Sequence, residues 1–155
     1  MAHEYLATIS WKRDSSEPFT DNKYSRGHTW SFDGGVTVPA SSSPLSVRLP
    51  FSRADAVDPE EALVAAISSC HMLTFLFIAA KEGFVVESYE DEAVGVMERV
   101  APGRMAITRV TLRPRIAFDG AMPDKGKLDE LHHQAHELCF IANSVKTEIV
   151  VEARE

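Results

Sequence analysis

Apolar and polar positions first alternate with period two near the N-terminus. There Tyr5, Ala7, Ile9 and Trp11 fall on one side of an extended segment, the pattern of a half-buried strand. Residues 14 to 24 are polar and read as a loop. Trp30 and Phe32 then alternate with Thr29 and Ser31, Asp33-Gly34-Gly35 supplies the positive-φ residues of a tight hairpin turn, and Val36 and Val38 restart the alternation. The Ser- and Pro-rich stretch from Pro39 to Pro50 is predicted to be a loop, long for a compact domain and of the kind that covers sites or partners.

The period changes at Asp58-Pro59-Glu60-Glu61. Asp58 suits an N-cap, Pro59 the first helical position, and Glu61 the return arm of a capping box. The apolar run from Ala62 to Ala80 predicts a central core helix, with Gly83 as its stop. Ser68, Ser69, His71 and Thr74 interrupt that run and charged residues flank it, which argues against a membrane span. Residues 84 to 98 and 104 to 118 predict a long hairpin around Ala101-Pro102-Gly103, with Pro114 marking an edge or bulge. Leu128, Leu131, Ala135 and Leu138 recur at helical spacing and end near Cys139, and Ile149 and Val151 close the chain as a strand. Two major helices and about six strands in this order predict an α+β fold, one domain over residues 1–155.

Charge narrows the partners. Sixteen basic residues against 23 acidic ones give a net charge of −7, which favours solubility and disfavours nucleic acid or an anionic membrane. No basic leader with a small-residue cleavage site opens the chain, so a reducing cytoplasm is the expected compartment. Two cysteines far apart in sequence are too few for a disulfide framework, and in a reducing compartment such a pair points to catalysis, redox sensing or metal binding.

Each cysteine lies in an apolar helical segment, Cys70 after Ser68-Ser69 and Cys139 before Phe140. Ser68-Ser69 are residues that compete for backbone hydrogen bonds, and a helix break there would put Cys70 near a new N-terminus, where the dipole favours a thiolate. The plainer alternative is a small buried apolar side chain. His132, His136 and Cys139 share one helix face and could ligate zinc. Cys70 with His71 or His28 suggests a hydrolase dyad, although neighbours on a helix point about 100° apart. Glu60 suits any first helical turn, and continuous helix would leave it about 15 Å from Cys70.

The acidic-Pro-Glu start, the Ala-rich helix with Cys70 as the tenth residue after Glu60, Gly83-Phe84, the long hairpin and the late helix ending in Cys139 with Asn143-Ser144 together resemble the osmotically inducible protein C and organic hydroperoxide resistance family, OsmC/Ohr. One departure is Phe140, where the family usually places Pro after the second cysteine. The resemblance implies antiparallel sheets wrapped around two long central helices in an intertwined homodimer. It implies a cytoplasmic thiol peroxidase without cofactor or metal, acting on organic hydroperoxides and recycled by a dithiol reductant of the lipoyl type. Under it Cys70 is the peroxidatic thiol, Cys139 the resolving thiol, Arg26 the clamp for thiolate and peroxide, and Glu60 the acid that orients the arginine. Arg48 and Arg53 are the alternative clamps, in the segment where the osmotically inducible branch carries its arginine. Two other classes stay open: a protein that binds a small apolar ligand without catalysis, and a zinc protein using His132, His136 and Cys139.

Overall fold

Three short strands, β1 (Ala7–Ser10), β2 (His28–Phe32) and β3 (Thr37–Ala40), build an antiparallel sheet of order β1-β2-β3 in the first of two units, Met1–Ala62. The computed structural model describes Met1–Glu155. Trp30 pairs with Ile9 on one side and Val38 on the other, so the register is the one the alternation predicts. The β2–β3 turn closes through Phe32 N–H to Val36 O (2.9 Å) and Gly35 N–H to Phe32 O (3.0 Å), with Gly35 at φ 91°, a conformation open to glycine. All four residues of β1 are exposed, so the expected half-buried first strand is corrected. Pro39 belongs to β3, opposite Thr29, and the loop begins only after Ala40. Two buried serines tie that loop down: Ser41 Oγ accepts from Arg53 N–H at 2.9 Å, and Ser52 Oγ donates to Val47 O at 2.6 Å.

Helix α1 (Pro59–Lys81) starts on a reciprocal capping box, Glu61 N–H to Asp58 Oδ1 at 2.8 Å and Asp58 N–H to Glu61 Oε1 at 2.9 Å. It ends in a Schellman motif: Phe84 N–H reaches Ala79 O (3.0 Å) and Gly83 N–H reaches Ala80 O (3.1 Å), with Gly83 at φ 86°. The helix runs unbroken through Ser68-Ser69. Ser68 Oγ donates to Asp91 Oδ2 instead of competing for the helix backbone, so no second N-terminus forms and Cys70 lies in mid-helix. By length and composition α1 could cross a bilayer; here it buries Ile67, His71, Phe75, Ile78 and Ala79.

The second unit, Leu63–Glu155, holds five strands. β4 (Val85–Asp91) pairs with β7 (Pro114–Asp119) in a two-stranded antiparallel sheet, and β5 (Val94–Ala101), β6 (Arg104–Leu112) and β8 (Glu148–Val151) form a sheet of order β5-β6-β8. The predicted long hairpin is thus two ladders, and the strand count is eight rather than six. The cause is local: Asp91 Oδ1 accepts Arg113 N–H at 2.6 Å, and Pro114, which follows at once, has no N–H to extend the β6 ladder. β8 runs parallel to β6, Val110 opposite Ile149, the one parallel strand pair beside four antiparallel ones. A period of two is common to both pairings; α2 (Lys125–Leu138), between β7 and β8, supplies the return path a parallel pair requires.

Asp124 caps α2, its carboxylate accepting Lys127 N–H at 2.8 Å, and Cys139 is the C-cap residue, already extended at φ −68° and ψ 116°. Two apolar clusters form the interior of this unit. Phe75, Ile78 and Ala79 of α1 meet Leu131 and Ala135 of α2, while Ile67 meets Val110 and Leu112 of β6 with Val64 and Ile149 at their edge. β5 comes so near α1 that a Cβ on Gly95 would stand 2.6 Å from Val64 Cγ2.

Candidate active site

Cys70 and Cys139 meet. Cys70 projects from the middle of α1, half-buried, its carbonyl accepting Thr74 Oγ1 at 2.9 Å. Cys139 is buried where α2 gives way to a single 3-10 turn, Ala142–Ser144. Its sulfur accepts Ala142 N–H at 3.4 Å and its carbonyl accepts Asn143 N–H at 3.1 Å, so the turn after the helix fixes the thiol. Both cysteines are free thiols, and Cys139 is in contact with Cys70. Burial, then that contact, pushes the Cys139 thiol up to about 11.

Cys70 borders an apolar cavity of about 550 Å³, lined also by Leu73, Thr74, Phe77 and the two neighbours of Cys139 in the chain, Leu138 and Phe140. Cys70, Leu73, Thr74 and Phe77 recur at helical spacing, so this face of α1 is legible in the sequence, where its apolar character reads as core. Leu73, Phe77 and Phe140 are 60, 66 and 79% exposed. Phe140, the departure from the family pattern, therefore forms part of the cavity wall beside Cys139.

The two other predicted site residues belong to the N-terminal unit. Glu60, in the first turn of α1, has a buried Oε2 without a hydrogen-bond partner. Arg26 lies just before β2 and its guanidinium stacks on Tyr24, 3.7 Å from the ring centroid. It donates to Tyr24 O (2.5 Å), Asn22 O (2.9 Å) and Asn22 Oδ1 (2.8 Å), none of them a carboxylate. Arg26 and Arg48 share a polar cavity of about 290 Å³ with Lys23 and Asp21. Arg53 is already committed, with Nε and one terminal nitrogen each 3.1 Å from the Asp55 carboxylate.

The histidines do other work than expected. His71 turns away from Cys70 into the interior, where its Nε2 is 3.0 Å from His132 Nδ1. The rings are nearly parallel, 10° apart with centroids separated by 5.3 Å, and Phe75 packs 4.5 Å from the His132 ring. No Cys70–His71 dyad exists. His28 is likewise engaged, between Arg26 O at 2.7 Å and Trp30 Nε1 at 3.1 Å. The zinc reading is corrected as well: His132, His136 and Cys139 share a helix but do not converge, and no group of three His, Cys, Asp or Glu side chains is arranged to hold a metal ion. Their sequence spacing was right; the imidazole of His132 is turned to His71 and the sulfur of Cys139 to Ala142 N–H.

Residues 52–154 match the OsmC-like protein family. No curated protein matches the chain. An OsmC-like protein of unknown function from Vibrio cholerae is 54% identical, with 99% of this chain and all of that one covered and a TM-score of 0.95. The organic hydroperoxide resistance protein OhrB of Bacillus subtilis has the same fold at 17% identity, 97% and 98% coverage and a TM-score of 0.66. An organic hydroperoxide resistance protein OsmC from Legionella pneumophila is similar again, at 14% identity, 98% and 97% coverage and a TM-score of 0.67. With its family match running from before α1 to the final residues and the whole chain superposing on a relative of 54% identity, the protein is a member of the OsmC-like family.

Proposed function

We propose that the protein is a thiol peroxidase that reduces organic hydroperoxides. The observation that carries this reading is the contact of two free thiols, distant in sequence, beside an apolar cavity. Attack of the Cys70 sulfur on the outer peroxide oxygen breaks the O–O bond, leaving a sulfenic acid on Cys70 and releasing the alcohol, which takes up the proton. Cys139 then attacks that sulfur; a disulfide forms and the hydroxyl leaves as water with the thiol proton. A dithiol reductant, of lipoyl type on the family resemblance, restores both thiols and is itself oxidised to a disulfide. A thiol normally titrating near 8.5 requires roughly 3 kcal/mol of preferential thiolate stabilisation to react below neutral pH, and a guanidinium can supply it. Arg26, oriented by Glu60, is our assignment for that cation.

The apolar lining supports a substrate with a hydrocarbon tail, and Leu73, Phe77 and Phe140 form an apolar face that a second copy of the chain would cover, giving a homodimer in a reducing cytoplasm. Stopped-flow consumption of cumene hydroperoxide tests the chemistry. Cys70→Ser abolishes it, whereas Cys139→Ser allows one turnover and then accumulates over-oxidised Cys70 in intact mass. Wild-type rates in Cys70→Ser, or only intermolecular disulfides in peroxide-treated wild type, overturn the assignment. Sedimentation of the same preparation reads the dimer, and a fully active monomer removes it. Retention of a small apolar ligand with no peroxide consumed would transfer the protein to the binding class, which the same cavity supports.

A further inference from the structure

The His71–His132 hydrogen bond joins α1 to α2 in the interior, apart from the ion pair of Lys127 with Glu82 at the end of α1, and each imidazole belongs to a cysteine-bearing segment. His71 follows Cys70 directly, and His132 lies two turns before Cys139. Both imidazoles are buried, and His71 Nδ1 and His132 Nε2 have no partner of their own. Two aliphatic side chains would fill the same space without leaving polar nitrogens unsatisfied, so the pair is expensive as packing alone. What a hydrogen bond adds is direction. Apolar contacts tolerate sliding of one helix along another, whereas a 3.0 Å bond between nearly parallel rings fixes both separation and register.

Register matters here because a disulfide forms only within a narrow range of Cα separation, about 4.4 to 6.8 Å, and one residue of axial slip moves a side chain about 1.5 Å. We infer that His71 and His132 are positioning residues: their hydrogen bond holds α1 and α2 in the register that seats Cys139 against Cys70 for disulfide formation. Neither imidazole touches the cavity or the sulfur atoms, so their effect falls on the second chemical step, not on peroxide binding. The inference rests on the proposed dithiol chemistry, and the experiment separates the two.

Equilibration of the protein with mixtures of oxidised and reduced dithiothreitol, without peroxide, measures how readily the Cys70–Cys139 disulfide forms, each disulfide made consuming one oxidised dithiothreitol and yielding one reduced. Disulfide formation by the wild type tests the underlying reading, and its failure there removes that reading and this inference together. If the wild type forms it, His71→Leu and His132→Leu are expected to lower the equilibrium constant at least tenfold. His71→Gln, whose amide reaches the Nε2 position, and His132→Asn, whose amide occupies the Nδ1 position, are expected to recover most of the loss. His71→Asn, equally polar but too short, is expected to behave like His71→Leu, and the Gln and Asn comparison decides the matter if the leucine variants do not fold. The first-turnover rate with cumene hydroperoxide stays within twofold of wild type in all of them. Wild-type equilibrium constants in the leucine variants, or equal losses in His71→Gln and His71→Asn, overturn the inference.

Discussion

The chemistry of Cys139 is set by its surroundings. With its thiol pushed up to about 11 by burial and by Cys70, it is protonated at neutral pH, which suits the resolving role proposed for it, attack on Cys70 only once that sulfur has become electrophilic. The proposed division of labour between the cysteines rests on position: one borders the cavity on an open helix face, the other is capped by the backbone of the next turn. For the arginine, the structure distinguishes the three candidates by their existing partners. Arg53 is engaged with Asp55, which lowers the Asp55 carboxyl through hydrogen bonding and charge, whereas Arg26 is oriented only by carbonyl and amide oxygens and Arg48 leans on Phe51 with its centre 5.6 Å from the ring. Arg26→Ala is therefore expected to slow the first turnover at neutral pH at least tenfold, about 1.4 kcal/mol, with Arg53→Ala near wild type in the same stopped-flow assay. Arg26→Lys should fail to restore the rate, since an ammonium cannot reproduce a planar fork. A normal Arg26→Ala beside a slow Arg48→Ala would give the role to Arg48. At this scale the sequence disclosed residue types and spacing but not direction: His132 and His136 were visible as a helical face, while the turn of His132 toward His71 depends on where α1 passes, which no local pattern encodes.

At the scale of elements, local chemistry was legible where a few adjacent residues decide the outcome. The capping box at Asp58, the glycine stop at Gly83 and the turn at Gly34-Gly35 each involve groups within five residues of one another. Less was legible where a distant partner decides. Ser68 leaves the helix intact because Asp91, 23 positions away, accepts its hydroxyl, and the same carboxylate marks the end of β4 and β6 through Arg113 N–H. The parallel pairing of β8 with β6 escaped prediction for a related reason, since alternation reveals which face is buried and not which strand lies alongside. Gly95 is a residue of this second kind. Nothing in Val94-Gly95-Val96 announces that β5 crosses α1 there, yet an added methyl would stand 2.6 Å from Val64 Cγ2, closer than real Cβ contacts come. Gly95→Ala is expected to destabilise the protein by about 1–3 kcal/mol, the cost of overpacking, read as a lower urea midpoint with unchanged slope. The paired change Gly95→Ala with Val64→Ala should recover part of the loss; an unperturbed midpoint in the single variant would show that the strand moves aside freely.

For the whole molecule, the buried imidazole pair makes stability depend on pH in a window where few other groups titrate. Burial first, then neighbouring positive charge from His132 and His136, holds His71 down to about 4, against 6.5 ordinarily. Burial likewise holds His132 down to about 4, only partly opposed by Asp129 and Asp91. In the unfolded chain both imidazoles bind protons near 6.5, so between about 6.5 and 4 the unfolded state carries more protons than the folded one, and stability must fall as the pH falls through that interval. A drop from 6.5 to about 4 in one imidazole corresponds to about 3 kcal/mol of stability present at neutral pH and lost in acid. The exposed carboxylates held low by their partners, Glu90 by Arg115 and Asp55 by Arg53, lose their contributions only in more acidic solution, so they do not mimic the effect. Urea midpoints at fixed protein concentration should be level from pH 7 to 8, decline from pH 6.5 toward 4.5, and decline much less in a His71→Leu/His132→Leu double variant. A wild-type midpoint that stays level down to pH 4.5 would mean that the imidazoles are solvated enough to accept protons without strain.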